Sequence, residues 1–379
     1  MPHVREVEFA DHAAVAALVH AQGWGVPTLD DWRHLWEHNP AAGRAGRRPC
    51  RGWVLEDGPR IVGFVGNLVQ QFRLGDRTLR AAAAGALIVQ PEARGQSLQL
   101  VLPFARQGGV DLLLNTTCSP EASQIFQFLK FRRLPQPDYD QDLYWVLRPA
   151  GFLGAALRKR GCPAALGRSA GTLLAPLLWA EIRARGRRPR PPGPAPGPAP
   201  GPGRALQTRA VAVPDLGADF DALWRRKLAE PRRLLACRDA ATLRWHFAPR
   251  QRPTPPFLVA AWDAAELAGY AAVTVQDTPR YRLRRAYLAD LCAAGDDPET
   301  IRHLLAAAAR EARARGADLL QAVGFPAPLR RVFQESRPRV RRARAAWPYL
   351  YRALDPDLHR ELDCAALWHA CLYDGDGSL

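Results

Sequence analysis

The stretch Ile88–Leu100, IVQPEARGQSLQL, holds the residues best spaced for chemistry. A strand-like run ends at Gln90, a proline turn and the Arg94-Gly95 pair follow, and apolar residues then recur at helical spacing. The first N–H groups of a helix have no partner inside it and face any anion that arrives. The pattern therefore predicts either an anion-binding strand-loop-helix or a surface loop joining the two elements. Glu92, in the same loop, is a candidate base acting through water, or a solvated loop carboxylate. Cys118 follows an apolar run without a nearby histidine to activate it, which favours a structural thiol over a covalent acyl carrier. His246, beside Trp245 on a helical segment, reads as a packed side chain, since one histidine makes no metal site. Asp290 interrupts an apolar strand and needs a partner, which Arg284 or Arg285 would supply. Tyr373–Gly377, YDGDG, has oxygen ligands but lacks the further spaced ligands and distant glutamate of a calcium loop, so no metal is expected.

These residues must be held by elements, and the elements fall into two similar series. In the first, VREVEF reads as a strand, DHAAVAALVHAQGW as a helix capped by Asp11, and LDDWRHLWEHNP as a helix with Trp32, Leu35 and Trp36 on one face. Two strands joined at Asp57-Gly58 follow, then TLRAAAAGALIVQ, the loop and a helix over about Ser97 to Gln107. VDLLLNTTC reads as a central strand, SPEASQIFQFLKF as a helix capped by Ser119, and LYWVLRP as a closing strand. From LQTRAVAVPD onward the order recurs: strand, two helices, hairpin, strand, the long helix DPETIRHLLAAAAREARARG, an apolar strand, a helix and the closing strand AAWPYLYRAL. Between the series lies RGRRPRPPGPAPGPAPGPG, whose prolines and glycines predict an exposed spacer. The expected organisation is residues 1–150, a helical connection over 151–186, a linker over 187–204 and a second domain over 205–379.

With 379 residues, 47% of them hydrophobic, the chain is long enough for two cored domains. The formal charge is +16, yet only Lys130, Lys159 and Lys227 among 53 basic residues are lysines. So strong an arginine bias reads first as solvated surface, and otherwise as attraction for an acidic substrate or carrier, a membrane or RNA. Seven cysteines without CxxC spacing exclude a disulfide framework and a zinc ribbon. The N-terminal MPHVREVEFADHAAV lacks the apolar core of a signal peptide, which makes the cytoplasm the default location. Gly171–Ile182, GTLLAPLLWAEI, is too short to cross a bilayer and reads as a packed helix or one lying on a membrane surface.

The order of elements, the VQPEARG turn before a helix and the segment NTTCSPEASQIFQFLKF resemble the GCN5-related N-acetyltransferase superfamily. The recurrence suggests the tandem bacterial type, and RDAATLRWHF with the ending LWHACLYDGDGSL gives some likeness to peptidoglycan-bridge aminoacyltransferases. The resemblance implies an α/β fold of two domains, each a mixed, mostly antiparallel sheet flanked by helices. It implies an acyl-CoA donor, acetyl or longer, or a carrier-protein thioester, with the acyl group moved to a small-molecule or peptide amine.

The donor would be bound by Val89, Arg94, Gly95, Gln96, Ser97 and Leu98, with Ser97 and Gln99 where the family has small residues. Asn115 would order the nucleophile or the carrier arm, and Tyr139 would protonate the leaving thiolate, with Glu92 as the third catalytic candidate. The likeness of the ending suggests that Asp374 or Asp376 reaches the cleft between the domains. In the second series the matching loop carries Asp296, Asp297 and Glu299, which would satisfy the amides and repel a pyrophosphate, so donor binding is expected in the first. The competing expectations are a non-catalytic binding or scaffold protein on a degenerate transferase fold, and a tRNA-dependent aminoacyltransferase. For the latter the charge is compatible, but no stacking platform or RNA motif supports it.

Overall fold

The computed structural model describes residues 2–42, 50–187, 205–248, 254–342 and 348–379; all but the first residue of the predicted linker lies outside them. The strands in chain order are β1 His3–Glu6, β2 Gly52–Asp57, β3 Arg60–Leu74, β4 Arg77–Val89, β5 Leu112–Asn115, β6 Arg132–Arg133, β7 Gln141–Val146, β8 Gln207–Val211, β9 Leu234–Ala236, β10 Phe257–Asp263, β11 Glu266–Thr278, β12 Leu283–Ala293, β13 Leu319–Ala322, β14 Arg339–Arg342 and β15 Leu350–Ala353. The helices are α1 His12–Ala21, α2 Leu29–Trp36, α3 Ser97–Arg106, α4 Pro120–Phe128, α5 Pro149–Lys159, α6 Ala164–Arg187, α7 Ala218–Leu228, α8 Ala240–His246, α9 Pro298–Ala314, α10 Ala327–Glu335 and α11 Pro356–Glu361. They form two mixed, mostly antiparallel sheets flanked by helices, as expected of tandem α/β domains.

The first compact unit comprises Met1–Asp140, Leu228–Arg250 and Arg342–Leu379, and its sheet runs β1-β2-β3-β4-β5-β15-β6, with β9 also paired to β3. Its one parallel pair with a described register is β4–β5, over Ala81–Ala83 and Leu112–Leu114. These strands are buried on both faces, which explains the continuous run LLLN. Leu100, Val101 and Phe104 of α3 pack with Phe126 of α4, Phe131 and Leu350 into the core on one face. On the other, Val15, Val19 and Trp32 of α1 and α2 pack on Val54, Phe64 and Ile88. Thr28 and Asp31 close α2 with a reciprocal capping box. Asp11 does not cap α1 as expected. Its carboxylate accepts from the Glu8 N–H and from Arg5, closing the preceding turn.

The second unit comprises Gln141–Lys227 and Gln251–Arg341, and its sheet runs β14-β7-β13-β12-β11-β10-β8. Here β12 and β13 are the parallel pair, over Arg285–Leu288 and Leu319–Ala322. The long helix α9 lies against β11, β10 and β12 through Ile301, Leu304 and Ala308. Asp290 is fully buried in β12, and the Tyr270 hydroxyl donates to it at 2.6 Å. The predicted arginine partner is corrected at Arg284, whose guanidinium meets Asp277 instead. α6 packs on α5 where Gly171 comes so close to Gly154 that a Cβ would lie 2.8 Å from the Gly154 nitrogen. It is not a wholly buried helix: Leu166, Leu173 and Leu177 are exposed.

Both closing strands pair away from the series that precedes them. β7, expected to complete the first sheet, is antiparallel to β13 in the second. β15, expected to complete the second, lies between β5 and β6 in the first. The segment with β9 and α8 likewise belongs to the first unit. Alternating apolar residues specify that a segment is a strand; the partner edge is chosen by tertiary hydrogen bonding and packing.

At the start of α9, as the sequence predicts, Pro298 is the first residue and the Asp297 carboxylate accepts from the Thr300 N–H and hydroxyl. Asp296 accepts from the buried Lys227 ammonium at 2.5 Å, and Lys227 also donates to the Ala293 carbonyl. Removing one partner of such a pair strands a buried charge. Lys227→Met is expected to lower unfolding free energy by about 3 kcal/mol, measured by urea denaturation, and the added change Asp296→Asn is expected to recover most of the loss.

Candidate functional site

In the first unit β4 and β5 hold register only as far as Ala83 and Leu114, and the site lies where that pairing ends. Against β3, β4 carries one extra residue: Phe64 faces Ile88 but Gly66 faces Gly85. Ala86, in this bulge, has the left-handed φ of 49°. On the other strand, Asn115, Thr116 and the partly buried Thr117 continue past the last paired residue.

The carboxylate of Asp376 fills the space between them. It accepts from Thr116 Oγ1 at 3.2 Å and from Thr117 Oγ1 at 2.9 and 3.1 Å. The N–H groups of Ala86 and of Asp376 itself also point at it. Gly85 leaves room here, since a Cβ would stand 3.3 Å from Asp376 Oδ2. Burial raises the Asp376 pKa above the usual carboxylate range despite the donors around it.

The segment carrying Asp376 is held along its length. Gly375 donates to Gln70 Oε1 at 2.8 Å, the Tyr373 hydroxyl donates to the Cys237 carbonyl, and His246 Nε2 meets Ser378 Oγ at 2.7 Å. This places His246 as a packed residue. Asp374 is buried and Asp376 partly buried within the first unit.

A cavity of about 220 Å³ opens beside Asp376. Its walls come from α1, the segment before α2, α2 itself, β3 and the β4 bulge, with Trp32, Trp36 and Phe64 prominent. Trp32 packs edge-on to Trp36 at 5.0 Å and nearly parallel to Phe64 at 6.0 Å. The indole N–H of Trp36 donates to the Asn67 carbonyl, and the Asn67 amide donates to Cys50 and Gln107.

The expected donor loop joins β4 to α3 as a 3-10 turn, Pro91–Gln96. Ala93 donates to the Gln90 carbonyl and Ser97 to that of Arg94, so the turn uses these amides itself. The Ser97 hydroxyl also donates to Arg94, and Gln99 is exposed. Neither side chain therefore closes the loop; its own backbone does. Arg94 and Gly95 are exposed, no atom lies within 4 Å of where a Gly95 Cβ would be, and Gln96 Oε1 is buried without a hydrogen-bond partner. Val89 and Leu98 are half-buried at the two ends of the turn.

No protein-family model matches the chain, and no curated protein is significantly similar to it in sequence. Among solved structures, a GCN5-related N-acetyltransferase from Kribbella flavida superposes with a TM-score of 0.53 at 15% identity, over 94% of this chain and 71% of that one. A second, from Anabaena variabilis, gives 0.54 at 10% identity over 94% and 73%. The fold is that of the GCN5-related N-acetyltransferases. A protein from Enterococcus faecalis described as a probable N-acyltransferase also matches, with a TM-score of 0.54 at 10% identity over 93% and 73%.

On this acetyltransferase fold the predicted site residues divide. Asn115 is buried at the end of β5, opposite Leu350. Tyr139 is buried, its ring 5.5 Å from that of Tyr349. Burial, then the charge of Asp374, pushes the Tyr349 pKa well above the usual phenol value. Glu92 is exposed on the 3-10 turn. Cys118 is buried and its pKa is pushed up to about 12 by burial and by Asp376, so it stays a thiol. Among the described residues, no group of three or more histidine, cysteine or acidic side chains is placed to hold a metal, and no helix is long and apolar enough to cross a membrane.

The Ala86 bulge and the aromatic cavity were missed in the sequence. The only local signal is the small-residue run AAAAGA, which permits close approach without naming what approaches. Two outcomes check the geometry. A Cβ at Gly375, whose φ is 72°, would fall 2.5 Å from Thr116 Oγ1, so Gly375→Ala is expected to cost at least about 1–2 kcal/mol in urea denaturation, while Gly95→Ala costs less than about 0.5 kcal/mol. A carboxyl with a raised folded pKa contributes most to stability below its unfolded pKa and loses that contribution as pH rises through the folded value. Asp376→Asn is therefore expected to flatten the fall in melting temperature as pH rises from the ordinary carboxylate range toward neutrality.

Proposed function

We propose that the first unit transfers an acyl group from a thioester donor, acyl-CoA or a carrier-protein thioester, to an amine. The observation that carries this reading is the parting of β4 and β5 beside a cavity that ends on Asp376 and the β4 bulge. Exposed Arg94 and Gly95, with Gln96, Ser97, Leu98 and Val89, would hold the donor's phosphates and arm. The open surface over Gly95 and the orphaned Gln96 oxygen fit such a ligand. Because the turn keeps its own amides bonded, phosphate recognition rests mainly on the Arg94 charge and the α3 dipole. The thioester supplies an activated carbonyl. In the transfer a C–N bond forms, the C–S bond breaks, one amine proton leaves to a base and the thiolate takes a proton. Asn115 orders the reacting groups at the end of β5, Tyr139 supplies a proton from the side of Tyr349, and Glu92 exchanges protons through water on the outer turn.

A non-catalytic binding protein on this fold is the second reading. The self-bonded 3-10 turn and the Asp297 and Lys227–Asp296 contacts that satisfy the matching loop of the second unit favour it. Calorimetric titration with acetyl-CoA and longer acyl-CoAs, with thiol release assayed against a panel of amines, decides between them. Acyl transfer predicts binding and turnover, with Gly95→Trp weakening donor binding by about ten-fold at unchanged melting temperature. Turnover with carrier-protein thioesters alone would restrict the donor class. No binding and no turnover with either class leaves the binding-protein reading.

A further inference from the structure

The cavity beside Asp376 has a composition that selects among amines. Its wall is formed chiefly by Trp32, Trp36, Phe64 and Leu68, and among the described residues lining it Asp376 alone has an ionisable side chain. The polar groups of the wall are already engaged: the Trp36 N–H with Asn67, and the Asn67 amide with Cys50 and Gln107. A polyhydroxylated molecule would therefore lose water at several groups without regaining partners for them, which disfavours it. An apolar body with a single ammonium has no such deficit. Aromatic faces attract a cation as well as an apolar ring, and a partly buried carboxylate beside them attracts it more strongly. An apolar cavity of about 150 Å³ is enough for benzene, so about 220 Å³ leaves room for a ring with a short aminoalkyl arm.

We infer that the acceptor is a hydrophobic primary amine of the arylalkylamine type, its ring held by Trp32, Trp36 and Phe64 and its ammonium set against Asp376. This rests on reading the cavity as the acceptor side of the proposed acyl transfer. Asp376 then takes one ammonium proton, leaving a free amine beside the Ala86 bulge. As the C–N bond forms and the C–S bond breaks, the second nitrogen proton and the one held on Asp376 pass to water, Tyr139 protonates the thiolate and is reprotonated from solvent, and one proton is released overall. A carboxylic acid of the same shape would place two acids together and is excluded by charge.

The test is calorimetric titration of the full chain, without any thioester, with 2-phenylethylamine, phenylacetate and putrescine. The expected result is saturable binding of 2-phenylethylamine, with phenylacetate and putrescine at least about ten-fold weaker. Asp376→Asn should weaken the arylalkylamine by at least about ten-fold, and Leu35→Trp, which fills the cavity from α2, should abolish its binding. Circular dichroism identifies a variant that has not folded, and the other variant then carries the comparison. Equal binding of phenylacetate, or wild-type affinity in both folded variants, would overturn the inference. Arylalkylamine binding that depends on Asp376, without acylation by any thioester, keeps this cavity and removes the transferase reading. Turnover of polar amines alone, with no arylalkylamine binding, does the reverse.

Discussion

A single carboxylate, that of Asp376, meets both strands where the first sheet's parallel pair comes apart. Thr116 and Thr117 reach it from beyond β5, and the Ala86 N–H from the bulge in β4. A gap between parallel strands leaves backbone groups without ladder partners, and such groups are costly when buried. The segment around Asp376 supplies partners, and the rest of its fixing follows from that need. Gly375 must turn left-handed so that the carboxylate can enter beside Thr116, Gln70 clasps the Gly375 backbone, and Tyr373 anchors on Cys237. The small residues of β4 are the counterpart of this arrangement: Gly85 makes room for a side chain that arrives from far along the chain.

The two units solve the same problem at their helix starts in different ways. In the second unit, carboxylates within the loop satisfy the start of α9, and Lys227 neutralises one of them. In the first, a 3-10 turn folds the amides back on the preceding carbonyls while Arg94 and Gly95 remain exposed. In the second the loop carboxylates are themselves capped or paired. The first keeps an exposed arginine and an unpaired oxygen at Gln96. That asymmetry is why we propose the first unit for the donor.

Much of this was legible in the sequence. Cap residues and hydrophobic period fixed α4 at Ser119 and α9 at Asp297, and the family resemblance implied the mixed, mostly antiparallel sheet found in each unit. The acidic loop before α9 showed its self-sufficiency directly. What was not legible depends on contacts between distant residues. LYWV and LYRA carry the same alternation, so nothing local says that β7 and β15 join the sheets they do. Aspartate, glycine and serine suit exposed turns, so nothing local in the tail announces its burial. Its burial depends on Thr116, Thr117 and Gln70, about 260 to 305 positions away in sequence. Tyr139 is likewise flanked by aspartates, and nothing local shows that Tyr349 packs on it.

The position of β15 has a bearing on how the protein comes into being. Leu112–Asn115 of β5 has β4 on one side, and its other side is taken by residues 350–353. While the chain is being synthesised, the first sheet therefore has an open edge at its most apolar strand until residues 350–353 have emerged. The N-terminal residues cannot mature in the order in which they are made. They must wait, with LLLN exposed at an unpaired edge, for the strand that seals them.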